Sequence, residues 1–318
     1  MTGVSVVVPT LGRPSLAALL TALAAAEPAP VPVELLLVDD RPSPAGELPL
    51  PPGVEAKVLT GRAAGPAAAR NVGWRAASHE WVAFLDDDVL PGPDWFTALA
   101  ADLADAGPEI GGVQGRLHVP LPADRRPTDW ERVTAGLTDG KWITADMAYR
   151  RAALEATGGF DERFPRAFRE DAEIAYRVRR AGWALTRGER QVTHPVRPED
   201  RWVSVRTQRG NADDALLHRL YGRGWRELLE VPPGRRARHL AVTAAAAAAV
   251  LGRSRWAGLA WLAGTSEFAA ARIGPGPRDR REVTTMLLTS AVIPPVATVH
   301  WLRGWVKWRG ARPWEARS

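Results

Sequence analysis

The sequence predicts an α/β protein, a mainly parallel sheet with flanking helices followed by a C-terminal helical region. Short apolar runs alternate with longer amphipathic stretches through the first half of the chain, the pattern of βαβ units. Two of those runs end directly in clustered carboxylates, Asp39-Asp40 and Asp86-Asp87-Asp88. The last part, residues 231–318, has no strand pattern and carries three weakly apolar stretches between arginines.

Val4–Val8 is a β-branched run closed by Pro9, and Leu16–Ala26 is rich in Ala and Leu, as a helix would be. Glu34–Val38 reads as the second strand and Val54–Thr60 as the third. Pro66–Ala77 starts on a proline and contains few breakers, which predicts a helix. Trp81–Leu85 is a fourth apolar run. Right-handed crossovers between parallel strands would bring the strand C-termini, with their acidic loops, to the edge of the sheet where ligands bind. From Ile110 the pattern loosens through Gly111-Gly112 and a Pro/Arg-rich stretch around Pro120–Pro127. Ile143–Tyr149 is a further strand, Gly158-Gly159 a turn, and Glu170–Ala181 a helix ended by Gly182. On that helix Asp171 shares the inward stripe of Ile174, Ala175 and Val178, in the first turn, where the macrodipole favours an anion.

The chain has 318 residues, 46% of them hydrophobic and 25% charged, enough for a sizeable core and against wholesale disorder. The absence of cysteine excludes disulfides, thiol nucleophiles and Cys-ligated zinc. No basic and apolar leader opens the sequence, so no secretory signal is expected and the cytoplasm is the expected address. The net charge of +6 is a sum of unlike parts. Residues 231–318 hold 14 basic against 4 acidic residues, a net of +10, and residues 1–230 hold 28 against 32, a net of −4. Such asymmetry directs any polyanionic surface to the tail alone.

Three consecutive carboxylates after a buried strand are costly without a partner. Two of them about 4 Å apart repel by roughly 4 kcal/mol at an effective dielectric near 20. A divalent cation removes that cost, and carboxylate oxygens suit Mg²⁺ or Mn²⁺. Glu170-Asp171 at a helix start is either a simple cap or a functional pair, and a lone His194 in Q-V-T-H-P is either structural or a ligand.

Six motifs, V-S-V-V-V-P-T, L-L-L-V-D-D, A-A-A-R-N-V-G, F-L-D-D-D, G-G-F-D-E and R-E-D-A-E-I-A-Y-R, stand in the order seen in family 2 glycosyltransferases, so that Val4 to His194 resembles that family. The resemblance implies the GT-A fold, Rossmann-like, and inverting transfer of a sugar from a nucleotide-diphosphate sugar donor to an acceptor hydroxyl, on a glycan, a lipid-linked or a small-molecule acceptor. It places Thr10 and Arg13 at the nucleotide edge, Asp39 or Asp40 on the base or ribose, and Arg70 near the diphosphate. Asp86 and Asp88 bracket the D-x-D motif that holds Mg²⁺ or Mn²⁺, with Asp87 on the sugar and His194 as an additional ligand. Asp171 matches the family's base and Glu170 its partner. The usual D-D-G-S is here Asp39-Asp40-Arg41-Pro42-Ser43, a departure at the nucleotide loop. Trp95 lines the acceptor subsite or belongs to the core.

Residues 1–230 are thus expected to be the catalytic domain and 231–318 a basic, Trp-rich helical tail. Its stretches are Leu240–Leu251, Trp256–Ile273 and Val283–Leu302. The last has a nominal spanning length, but Pro294-Pro295 interrupts it and arginines flank both ends. A re-entrant or in-plane helical pair is the reading, with Trp301, Trp305, Trp308 and Trp314 near the headgroups of an anionic membrane, at the inner face of the cell membrane. An ordinary packed helical subdomain is the alternative. A dinucleotide dehydrogenase is excluded because no G-x-G-x-x-G follows a strand. A non-enzymatic nucleic-acid or polyanion binder using the basic tail is the rival from a different class. The acidic strand ends argue against nucleic acid.

Overall fold

The computed structural model describes residues 3–44 and 46–313, so Trp314 lies outside the described residues. The chain divides into two compact units, residues 3–120 with 137–195 and residues 121–136 with 196–313.

The first unit is an eight-stranded mixed sheet with helices on its faces. In chain order it contains β1 (Val4–Thr10), α1 (Pro14–Ala25), β2 (Val33–Asp39), β3 (Lys57–Thr60), α2 (Pro66–Ala76), β4 (Trp81–Leu85), β5 (Leu90–Pro91), α3 (Trp95–Ala104) and β6 (Ile110–His118). After α4 (Asp129–Ala135), which belongs to the second unit, come β7 (Asp146–Arg150), α5 (Arg151–Thr157), α6 (Glu170–Arg180) and β8 (Ala184–Thr193). The strand order is β3-β2-β1-β4-β7-β6-β8-β5. β1, β2, β3 and β4 pair in parallel, as their near-continuous apolar runs require when both faces are covered. Val6, Val8, Leu37, Ala83 and Leu85 pack on one face with α1 and α3, and Val7, Leu36, Val38, Val82 and Phe84 on the other with α2 and α6.

β7 runs antiparallel to both β4 and β6, so the sheet is less uniform than the alternation of motifs implies. β6 lies within the segment whose pattern loosens. Gly111, Gly112 and Gly115 remove its apolar alternation because larger neighbours cross there: a Cβ on Gly115 would stand 2.2 Å from an Asp146 carboxylate oxygen. The third strand is shorter than expected, beginning at Lys57 rather than Val54. The edge formed by the ends of β1, β2, β4, β6 and β8 also receives the start of β7, and it collects Thr10, Asp39, Asp86 and His194.

The second unit is helical, with α4, α7 (Val203–Arg206), α8 (Asn211–Tyr221), α9 (Trp225–Leu228), α10 (Arg236–Leu251), α11 (Arg255–Ile273) and α12 (Arg280–Lys307). The charge boundary at Glu230 is therefore not where the compact units part. α8, from the acidic side of that boundary, packs on α12 from the basic side, where Gly304 lets the helices close: a Cβ there would lie 2.6 Å from the Ala212 backbone. At the centre of this unit the buried Arg272 donates to Asp129 Oδ2 at 2.7 Å and to the Thr289 and Ser290 hydroxyls.

The expected break at Pro294-Pro295 does not occur, and α12 continues unbroken through both prolines. Each proline in a helix interior costs about 3 kcal/mol. Burial of Met286, Ile293, Pro294 and Ala297 against the neighbouring helices offsets that cost. α12 is the one helix among the described residues long and apolar enough to cross a membrane, and 44% of its most apolar stretch is buried inside the protein. It is a packed helix with one outward face rather than a re-entrant pair.

Candidate active site

The acidic end of β4 is held from three sides. On one side the Thr10 hydroxyl donates to Asp87 Oδ2 at 2.7 Å, and Arg13 Nη1 stands 3.7 Å from the other oxygen. Burial raises the Asp87 pKa, with the neighbouring Asp88 and Asp86 charges adding to it against the Thr10 bond and Arg13. On the second side, β5 pairs with the end of β8, Leu90 opposite Thr193, and this brings His194 back to the cluster. His194 Nε2 lies 3.7 Å from Asp88 Oδ2, and both side chains are largely shielded from solvent.

The third side is Arg70. It projects from α2, is 1% exposed, and donates to Asp86 Oδ1 at 2.7 Å and to Glu170 Oε1 at 2.9 Å. Burial alone would lower the guanidinium pKa, but Asp86 and Glu170 outweigh it and hold Arg70 firmly charged. One cation thus ties the end of β4 to the start of α6. Next to it, Asn71 accepts from Phe160 N and donates to Phe160 O and Glu162, clamping the Gly-Gly-Phe-Asp-Glu turn.

Glu170 and Asp171 open α6 behind Arg169, a non-glycine residue at φ +77°. Glu170 is buried, and burial together with the Asp171 charge pushes its pKa up to about 8 despite Arg70. Asp171 is half-buried and its pKa is also raised, chiefly by burial, against its bond from Ala172 N and the charges of Arg70 and Arg169.

Asp39 and Asp40 separate clearly in their contacts. Asp40 is buried and its two oxygens accept from the backbone N–H groups of Arg62 and Gly65, at 3.0 Å each, which fixes the loop into α2. Asp39 is gripped by Arg41, Nε to Oδ1 at 2.8 Å and Nη2 to Oδ2 at 2.7 Å, and this bond holds its carboxyl below the usual range. The sequence singled out Arg41 only as a departure from D-D-G-S, and its pairing with Asp39 went unread. Trp95 is fully buried, and its indole donates to Asp146 Oδ2 at 3.0 Å, so it is core and not a subsite wall. Asp146, Arg190 and Asp102 beneath it form a buried ion-pair network that sequence reasoning missed, because its members lie on separate elements with no local motif.

Among the described residues no three His, Asp or Glu side chains converge as a complete metal cage. The Asp88 oxygen and His194 nitrogen nevertheless form a two-donor pair, and Asp86 keeps one oxygen outside its bond to Arg70. An oxygen-plus-imidazole set suits a divalent cation that draws its remaining ligands from a bound phosphate and water.

Residues 5–155 match glycosyl transferase family 2. The pre-mycofactocin glycosyltransferases of Mycobacterium tuberculosis strains CDC 1551 / Oshkosh and ATCC 25618 / H37Rv are each 30% identical over 134 residues, 38% of this chain. The match spans only 28% of the length of those relatives. Among solved structures, mannosyltransferase PcManGT from Pyrobaculum calidifontis, in complex with GDP-Man and Mn²⁺, superposes with a TM-score of 0.56 at 21% identity, covering 94% of this chain and 86% of that one. The fold is that of the GT-A glycosyltransferases.

Proposed function

We propose that this chain is an inverting glycosyltransferase that moves a sugar from a nucleotide-diphosphate sugar to an acceptor hydroxyl, with a divalent cation, Mg²⁺ or Mn²⁺, and Asp171 as general base. The observation that carries this reading is the Arg70 bridge, which brings the β4 carboxylates and the Glu170-Asp171 pair within one guanidinium of each other. Donor and base chemistry then share one site.

In this reading Asp88 and His194 hold the cation together with Asp86. When bound, it neutralises the diphosphate as charge develops on the leaving group. Asp87, positioned by Thr10 and Arg13, faces the sugar, and Arg70 acts on the diphosphate side by fixing Asp86 rather than by direct contact. Of the two candidates on β2, Asp39 with its Arg41 partner is the nucleotide contact, because both Asp40 oxygens are engaged in the loop. Asp171, raised by burial, takes the acceptor proton. The acceptor class stays open among glycan, lipid-linked and small-molecule hydroxyls. The family match of residues 5–155 and the GT-A fold support this reading over a non-enzymatic polyanion binder.

The test is Asp171→Asn. Loss of one positioned base is worth about 10²–10⁴-fold in kcat. The expected outcome is a fall of that order with donor binding retained in the presence of Mn²⁺, followed by calorimetry. Turnover unchanged from the parent would remove Asp171 from the base role.

A further inference from the structure

We propose that the hairpin of α10 and α11 is a membrane-docking element that lies in the headgroup region of an anionic lipid bilayer. This inference stands independently of the transfer reading. α10 spans 16 residues and buries none of them. At the turn Val250 is 76% and Leu251 85% exposed, and on α11 Trp256, Leu259 and Leu262 are each more than half exposed. No charged residue occurs between Arg238 and Arg253, nor between Arg255 and Glu267. At 1.5 Å per residue, each uncharged run is roughly 15–20 Å long. A helix pair built to face water carries charge on its outer face, and this one carries Ala, Val, Leu and Trp. Between the pair and α12 lies an apolar cavity of about 650 Å³, lined among others by Val242, Ala246, Val250, Leu259 and Pro295.

Charge selects the occupant. Arg253 and Arg255 stand at the turn, and no acidic residue lies between Glu230 and Glu267. Glu267 sits at the far end of α11, where it pairs with Arg235 and Arg238. The exposed apolar face is therefore flanked by unneutralised positive charge at its tip, and the Arg255 guanidinium stacks on the Trp256 ring at 5.3 Å. Arg and Trp beside an apolar face suit the boundary between headgroups and acyl chains. A second copy of this chain is the poorer occupant, because it would offer the same positive charge. The contact also falls on a different element from the one expected: α10 and α11 present the face, and α12 supports them from within.

The experiment is vesicle flotation of the full-length protein, using phosphatidylcholine alone and phosphatidylcholine with 30 mol% phosphatidylglycerol (about that fraction gives a strongly anionic surface). Expected is flotation with the anionic vesicles that weakens in high salt, and slowed hydrogen exchange in residues 240–265 on binding. Arg253→Ala/Arg255→Ala should weaken anionic binding by about 25-fold, at about fivefold per arginine. Val250→Glu/Leu251→Glu should abolish it, and these exposed positions leave the fold, checked by circular dichroism, intact. Absence of flotation at low salt, or flotation unaffected by Val250→Glu/Leu251→Glu, overturns the proposal. So does self-association, seen by light scattering, that the same variant abolishes in a protein that ignores vesicles.

Discussion

A carboxylate in water, with a pKa near 4, is a poor acceptor for a hydroxyl proton, so a base of this kind depends on its surroundings. Asp171 has them: burial lifts it, and Arg70, Arg169 and the Ala172 amide limit the rise. A base must be deprotonated to act. Activity is therefore expected to climb with pH through an apparent value above the ordinary aspartate range, and a kcat–pH profile reads that limb directly. Asp171→Asn should erase it. At the proposed metal pair, Asp88→Ala is expected to reduce Mn²⁺-dependent donor binding by at least about tenfold, the scale seen when a metal site loses a supporting group. Titration calorimetry with and without Mn²⁺ measures it, and unchanged metal dependence would take Asp88 out of the set. The sequence made Asp86, Asp87, Asp88, Glu170 and Asp171 visible because clustered carboxylates after a strand or at a helix start are locally conspicuous. It left Arg41 and the depth of Arg70 unseen, since both are set by partners: Arg70 meets Glu170 from 100 residues away.

Among the elements, α4 shows most directly how local chemistry fixes a boundary. The Thr128 hydroxyl accepts from Glu131 N, Glu131 accepts from Thr128 N at 2.7 Å, and Arg125 binds the same carboxylate. Thr128→Ala is expected to cost about 1 kcal/mol, read by urea unfolding. The Arg125 bond above all, outweighing the opposing effect of burial and joined by the bonds from Thr128, holds the Glu131 pKa down to about 2 from an ordinary 4.5. Because the folded value is depressed, this contribution is complete above pH 4.5 and fades as pH falls toward 2. Glu131→Gln should flatten that acid limb of stability. The β1, β2 and β4 strands were legible because short apolar runs, β-branched in β1, that end at a proline or at acidic loops need no tertiary knowledge. β6 was not, because its glycines answer to side chains of β7 and to Trp183. The break expected at Pro294-Pro295 failed for the same reason, tertiary burial overriding a local penalty.

For the molecule as a whole, the class of fold was legible from the alternation of strand-like and helix-like runs, and the direction of each strand was not. β7 enters antiparallel because the chain reaches it from the second unit's α4 rather than by a helical crossover on the sheet, and no periodicity records that route. The division of charge was readable by counting, whereas the compact units follow packing and part after Pro120, Gly136 and Pro195. The family match covers residues 5–155, so α6, β8 and helices α7 to α12 stand outside it. Glu170, Asp171 and His194 consequently rest on motif order and on geometry.

Arg70 carries a consequence for how this site can change over generations. A single guanidinium serves carboxylates at positions 86 and 170, so substitutions at the three positions are not independent events. Removing one partner of a buried pair leaves the other uncompensated, at a cost of about 3–5 kcal/mol. A lineage exchanging Arg70 would strand the Asp86 carboxylate in this way, whereas exchanging Glu170, whose pKa is pushed up to about 8, leaves Arg70 its bond to Asp86. A change of charge pattern here is therefore expected to pass through pairs of substitutions that include position 70.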